Sequence, residues 1–440
     1  MKAIYKGVKK GFLIGSVLLL FNNISNAQTW DSVGSGSDKA VYTLCVFGDK
    51  LEVGGAFTIV DGVPANHIAQ WNGDSWSNSG TGISGAGVWS LAVNDSNLYA
   101  GGLFTKAGTT QANNVALLGM NDWDSIGSGT NSIVYAMASY QGNLYVGGGF
   151  KSAGGKSVGY IAMWNGMYWS TLGLGTNGYV QSMVVLGTKL YVAGSFDSAG
   201  GISANGIVEW NGSKWSALGA GVNGFVSSLA VYNNNLYIGG NFTKAGGKPA
   251  NNIAEWDGVN WSALDKGTDN NVASMVSFNG SLYVGGQFAN AGGSPANHIA
   301  AWNGITWSAV GEGMNNTVLA LAVYNSALVA GGQFDSAGGD PINHIAVLRS
   351  SPTVINTLNS STASVALYPN PNNGNFTVEL TGTKERQYFE LYNMLGQKVY
   401  TTSMQPNVTQ VHTTQQSGLY IYRILNTTGS IVTCGRIVIE

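Results

Sequence analysis

The chain has 440 residues, 44% hydrophobic and 11% aromatic, with 64 glycines, 8 prolines and only 10% charged residues. High charge and few aromatics mark disorder, so this balance excludes a disordered chain, and abundant glycine without a collagen triplet period points to an all-β protein rich in tight turns. Residues 28–440 hold 16 basic and 22 acidic side chains, which argues against a nucleic-acid partner held through phosphate contacts.

The N-terminus reads as a signal peptide. Lys2, Lys6, Lys9 and Lys10 precede an apolar run from Gly11 to Phe21, and Ser25, Asn26 and Ala27 supply small residues before a cut ahead of Gln28. The run is too short to cross a bilayer core of ~30 Å as a helix, and no later segment is apolar enough, so no permanent membrane span is expected. Cys45 and Cys434 are the only cysteines. They exclude a disulfide framework, and each reads as a lone buried apolar residue rather than as half of a bridge.

Residues 30–348 are dominated by a seven-fold repeat. A phenylalanine following a small-residue pair recurs at Phe57, Phe104, Phe150, Phe196, Phe242, Phe288 and Phe334, at steps of 46 or 47. Each copy contains four short runs rich in Val, Ile, Leu, Tyr and Trp, separated by Asn, Gly and Asp turn signals, which predicts a four-stranded antiparallel meander. Four strands per unit at this period predict a β-propeller blade. Phase predicts closure: the fourth-strand tryptophan occurs at Trp30, Trp76, Trp123, Trp169, Trp215, Trp261 and Trp307, one copy before the first glycine pair and none after the last. The strand at Trp30 therefore completes the seventh blade, since a ring pairs the terminal edges that an open array leaves bare. Third-strand tryptophans stand at Trp71, Trp164, Trp210, Trp256 and Trp302, with Leu118 and Leu348 in the same register. A register that accepts Trp or Leu is a packing register, and only Trp89 falls outside both.

The copies, such as Leu236-Tyr-Ile-Gly-Gly-Asn-Phe242 with Asn252-Ile-Ala-Glu-Trp256, resemble the kelch class of propeller, and more closely the kelch-like repeats of secreted Bacteroidota proteins and fungal polarity-marker propellers. The repeat departs from kelch in its regular Ala-Gly-Gly loop and in lacking an arginine before the first strand. The resemblance implies a fold and no reaction, because propellers host enzymes, lectins and scaffolds alike.

From Arg349 the pattern stops, and residues 349–364 read as a Ser/Thr/Asn-rich linker. Residues 365–440 alternate as strands and predict a small immunoglobulin-like β-sandwich. The charge also changes, from 10 basic and 18 acidic side chains over residues 28–348 to 6 and 4 over residues 349–440. Tyr368, Pro369, Asn370 and Pro371 with Gly374 and Phe376, then Leu391 to Gln397 with Gly396, then Gly418 and Tyr420, then Arg436 to Ile439, resemble the C-terminal sorting domain of the type IX secretion system of Bacteroidota. That resemblance implies passage through the periplasm and outer membrane, recognition of residues 365–440 by the translocon and a sortase, and release or attachment to surface lipopolysaccharide.

Catalytic chemistry is not legible in the propeller. Acid–base work needs paired carboxylates or a partnered histidine in one pocket, yet no acidic position recurs through most blades; Asp197 shares a register with Asp335, and Glu209 with Glu255. His67, His298 and His344 occupy one register in blades one, six and seven, where other blades carry Asn114, Tyr160, Gly206 and Asn252. That reads as a tolerant loop-to-strand position. Equivalent atoms of adjacent blades do not converge on a metal with ligand bonds of about 2.0 to 2.1 Å unless they line the axis. Recurrent Gly-x-Gly loops open strands and not helices, so no dinucleotide site is expected. The Asp-Ser pairs at Asp31, Asp124, Asp197 and Asp335 resemble a Bacteroidota O-glycan acceptor but also fit plain turns. No catalytic, metal or cofactor residue is expected.

The expectation is a secreted or surface-displayed propeller that binds an extracellular glycan or protein on the face bearing the Ala-Gly-Gly loops and the crossovers between blades. Its candidate residues are Lys244, Lys248, Asn251, Asn297, His298, Asn343 and His344, and near-identical loops favour a repetitive ligand such as a polysaccharide. The competing readings are a polysaccharide hydrolase or lyase, which requires two carboxylates about 5 to 9.5 Å apart for hydrolysis, and a purely structural surface protein.

Overall fold

The computed structural model describes residues 28–350, 364–381, 387–393, 398–404, 407–426 and 431–440. The expected leader, most of the expected linker and Gly396 lie outside the described residues. The chain divides into two compact units, Met1–Ser351 and Pro352–Glu440.

The first unit is a seven-bladed β-propeller. Blade five shows the plan: strands Phe225–Tyr232, Asn235–Asn241, Ile253–Trp256 and Trp261–Ala263 pair antiparallel in sequence order. Asn233 and Asn234, at φ 48° and 61°, make the tight first turn, a conformation that asparagine tolerates better than most residues. Closure follows the predicted phase. Gln28–Ser32 pairs antiparallel with Ile345–Ser350, placing Trp30 opposite Leu348, so the last propeller strand runs two residues past the expected boundary at Leu348. The first strands of neighbouring blades pack against one another all the way round, the seventh against the first, and so surround the axis.

The Ala-Gly-Gly segments are more ordered than loops. Each forms a miniature hairpin, such as Lys244–Ala245 with Lys248–Pro249, turned by two glycines in the left-handed region, here Gly246 and Gly247. Each hairpin is also bridged to the crossover entering its own blade, as in Thr176 with Ala199 and Val222 with Ala245. Crossovers and hairpins therefore share one face. Blade two departs from the plan: its first two strands are lengthened to Ile83–Asn94 and Asn97–Ala107, and the same bridge, Ile83 with Ala107, is absorbed into one continuous ladder.

The glycine pair ending the second strand has two separate causes. A Cβ on the second glycine would meet a backbone carbonyl of the first strand, 2.1 Å from Phe225 O at Gly240 and 2.2 Å from Ala40 O at Gly55, beside a β-bulge in that strand. A Cβ on the first glycine would meet the next blade's valine, 2.3 Å from Val272 Cγ1 at Gly239. Backbone yields less than a side chain. Accordingly the second position is glycine in all seven blades, whereas blade four carries Ala193 at the first.

The tryptophans bind blades to each other through an unbroken ring. Each fourth-strand indole donates Nε1–H to a carbonyl just past the fourth strand of the preceding blade: Trp76 to Val33, Trp123 to Ser79, Trp169 to Ile126, Trp215 to Leu172, Trp261 to Leu218 and Trp307 to Leu264, at 2.9–3.0 Å. Trp30 to Val310 closes the circle at 3.3 Å. Within a blade the two tryptophans pack at ring-centroid distances such as 5.0 Å for Trp256 and Trp261. Burial of such side chains and a net hydrogen bond of about 1 kcal/mol each hold the interfaces.

The second unit is a small β-sandwich. One sheet holds Ser364–Tyr368, Asn375–Thr381 and Asn407–His412; the other holds Tyr388–Tyr392, Lys398–Ser403, Gly418–Leu425 and Ile431–Ile439. Phe376, Val378, Phe389, Leu391, Val411, Ile424 and Ile437 form its core. Cys45 and Cys434 are free and half-buried rather than fully buried.

Candidate functional site

On the face of the miniature hairpins, three grooves recur at the same register between neighbouring blades. The groove between blades six and seven encloses about 630 Å³ and includes Asn297, Gly313, Met314, Asn315 and Gly339. Between blades five and six the equivalent residues, Asn251, Gly267, Thr268, Asp269 and Gly293, line about 310 Å³. Between blades four and five, Asn205, Gly221, Val222, Asn223 and Gly247 line about 460 Å³. Their floors are alike, and their rims differ through Glu312, Lys266 and Ala220.

The expected face residues fall into two groups. Lys244, Asn251, Asn297 and His298 line grooves, whereas Lys248, Asn343 and His344 line none of the three. The asparagines also carry a structural duty: the amides of Asn251, Asn297 and Asn343 donate to Lys266 O, Glu312 O and Ser35 O and so pin the crossovers. Lys244 and Lys248 are exposed on their hairpin. Its start is fastened by Asn223 Oδ1, which accepts from the backbone of Thr243 and Lys244. Asp38 and Asp269 fasten their own hairpins in the same way. Although partial burial works the other way, these N–H donors, with the Asn290 amide on Asp269 and the Thr58 hydroxyl on Asp38, hold both carboxyls below the usual range.

The histidine register is conformationally demanding rather than tolerant. His67, His298 and His344 have φ of 69°, 68° and 65°, and Asn114, Tyr160, Gly206 and Asn252 are also left-handed, at 64°, 59°, 72° and 63°. Asn, His and Gly accept this region more readily than most residues, which accounts for six of the seven occupants. His298 Nδ1 lies 3.2 Å from Gly286 O, and burial lowers the pKa of His67 and His344. Among the described residues no group of three or more His, Cys, Asp or Glu could hold a metal ion. The recurring acids make local contacts: Glu209 pairs with Lys189 at 2.8 Å, Glu255 accepts from Asn235, and Asp197 and Asp335 accept from Asn177 and Asn315.

A feature missed in the sequence is a ring of bulged residues at the axis. Directly after a valine near the start of each opening strand one residue is extra, and these are Tyr42, Trp89, Tyr135, Gln181, Ser227, Ala273 and Leu319, all half-buried. A bulge re-aims its side chain, and Tyr42 and Trp89 of adjacent blades stack at 5.1 Å. Tyr179, which precedes the bulge of blade four, contacts Tyr135 and Tyr160 at 6.5 and 5.6 Å. The signal was present as Trp89, the one tryptophan outside the packing registers.

In the tail, the sorting residues form a strap over the final strand. Asn370 accepts from Val438 N at 2.8 Å and donates to Arg436 O, and buried Asn372 donates to Val438 O at 2.9 Å. Gly374, at φ 88°, leaves room for Thr413 O, which a Cβ would meet at 2.3 Å. Tyr420 is buried and donates to Gln416 O, Gly418 pairs with Ile439, and Tyr368 is 48% exposed with its hydroxyl against Glu379. Motifs far apart in the chain are thus neighbours in space.

Comparison with known proteins agrees with this division. Residues 366–440 match the family described as the secretion system C-terminal sorting domain. No curated protein matches the chain. Similar solved structures include PorZ, a surface component of the type IX secretion system of Porphyromonas gingivalis, at 15% identity and TM-score 0.48, covering 92% of this chain and 60% of that one. The extracellular domain of BT4673 from B. thetaiotaomicron follows at 12% identity and TM-score 0.47, covering 94% and 58%. The β-propeller domain of the Trilobed protease from Pyrococcus furiosus has 11% identity and TM-score 0.40, covering 71% and 94%. The chain thus spans about three fifths of the first two, and the propeller assignment rests on its own blade topology. No helix among the described residues is long and apolar enough to cross a membrane. Residues 366–440 belong to the secretion system C-terminal sorting domain family, and the chain that carries them is a β-propeller protein directed to the cell surface or the extracellular space.

Proposed function

We propose that this protein is a non-catalytic binding protein of a Bacteroidota cell surface, built on kelch-like repeats, that captures a glycan or protein on the hairpin-bearing face of its propeller. Residues 1–27 lead it into the periplasm, and residues 365–440 engage the type IX translocon and a sortase, which leaves the propeller as the mature working part. The observation that carries the reading is the recurrence of one groove at three successive blade junctions, with a shared floor and unlike rims. Repeated sites at a fixed spacing suit a polymer and give affinity through multivalency.

The test is binding by the mature chain to arrays of plant, algal and bacterial polysaccharides and of extracellular proteins. The expected result is saturable binding, weakened by Lys244→Ala combined with Lys266→Ala. Absence of binding throughout, or turnover of a polysaccharide, overturns it.

A further inference from the structure

We propose that the mouth of the propeller axis, on the hairpin-bearing face, is a binding site for a neutral pyranose, built from Tyr42, Trp89, Tyr135, Tyr160 and Tyr179. This deepens the reading above and rests on it, since it names a ligand class and a position for a protein working outside the cell.

Placement comes from topology. The first strands surround the axis and begin at the face where crossovers enter, so bulges at their starts bring their side chains to the axial mouth. The seven equivalent positions are unequal. Blades one to three supply Tyr, Trp and Tyr, whereas blades four to seven supply Gln181, Ser227, Ala273 and Leu319; Tyr179, two residues before the bulge of blade four and 48% exposed, extends the aromatic side. Packing does not require an aromatic here, because Ser227, Ala273 and Leu319 occupy the same bulge on the opposite side.

Chemistry follows from what these side chains leave unused. The seven fourth-strand indoles donate to backbone carbonyls, and Tyr140, Tyr232 and Tyr324 donate to turns of the next blade at 2.7–2.9 Å. By contrast, the indole N–H of Trp89 and the hydroxyls of Tyr42, Tyr135, Tyr160 and Tyr179 have no hydrogen-bond partner among the described residues. Half-buried aromatic rings with open donors match a ligand having an apolar face and a hydroxyl edge, which is the surface of a pyranose. Charge decides between neutral and acidic sugars. Neither the bulged residue nor the residue before the strand's valine is charged in any blade. Lys151 keeps its charge 5.5 Å from the Tyr160 ring centroid, so an acidic saccharide tests whether that charge takes over recognition.

The experiment titrates the mature chain with hexasaccharides of glucose, xylose, mannose and galactose, and with a hexagalacturonate, by calorimetry and tryptophan fluorescence. A neutral hexasaccharide is expected to bind and perturb the emission, with affinity falling at least about tenfold in Trp89→Ala and in Tyr135→Ala, the loss typical of a central aromatic contact. Trp89→Phe keeps a ring and is expected to stay within about threefold of the parent, which separates loss of the ring from misfolding. Binding only of hexagalacturonate, or binding unchanged in Trp89→Ala, overturns the proposal. If Lys244→Ala with Lys266→Ala alone weakens binding, the axial site fails while the binding face stands. If no saccharide binds, the axial site fails, and the broader reading survives only through a protein ligand.

Discussion

The rim and the axis of this propeller use the same aromatic residues for opposite ends. At the rim, seven indoles are buried or nearly so, and each gives its N–H to the neighbouring blade, so nothing is left for a ligand. At the axis, Trp89 and its tyrosine neighbours are half-buried or exposed, stand on one side only and have polar atoms without a partner among the described residues. Residue type alone does not reveal a binding site; repetition and the state of the donors do.

The contrast can be broken most forcefully at Trp30. Trp30→Ala removes a buried side chain and the link that closes the ring, with an expected loss of about 4 kcal/mol in urea unfolding, far above that of Trp89→Ala. A loss at Trp30 no larger than at Trp89 erases the distinction. Glu52 offers the next largest effect. It replaces the tyrosine found at Tyr99, Tyr145, Tyr191, Tyr237 and Tyr283, is 1% exposed with Oε2 unpartnered, and burial raises its carboxyl from 4.5 to about 7. The folded state therefore holds a proton that the unfolded chain releases. Its stability contribution is intact below about pH 4.5 and is lost as pH rises through about 7, by on the order of 3 kcal/mol. Glu52→Gln is expected to flatten this dependence in unfolding curves between pH 5 and 8.

Smaller effects sharpen the comparison. Gly240→Ala drives a Cβ into backbone and is expected to lose about 2 kcal/mol, whereas Gly239→Ala presses on a valine side chain and loses about 1 kcal/mol; equal losses contradict the two-cause account of the pair. Trp89→Ala, which gives up mainly its stack with Tyr42, is expected to lower stability by about 1 kcal/mol or less.

The fold was readable because propeller packing repeats, and repetition turns a weak strand signal into a strong one. The phase of Trp30 even exposed the split blade. The binding face was less readable for the same reason. Asn251, Asn297 and Asn343 recur because each pins a crossover, so recurrence marked scaffold as strongly as site. The left-handed backbone at His67, His298 and His344 depends on dihedral angles that a list of residue types conceals. The aromatic half-ring was hidden because a bulge adds one residue to the strand and defeats period-two reasoning about where a side chain points. In the tail, Asn370 and Asn372 were legible as a motif, but their grip on the last strand required the three-dimensional pairing.

The closing strand also sets a timetable. Trp30 meets Val310 across 280 positions, and Gln28–Ser32 finds its partner only after every other blade has been made. Contacts of such long range form late and slowly, so the latch is expected to act chiefly on the rate of opening. A ring sealed in this way is expected to persist through slow unfolding, with the five residues of Gln28–Ser32 setting the rate at which it opens.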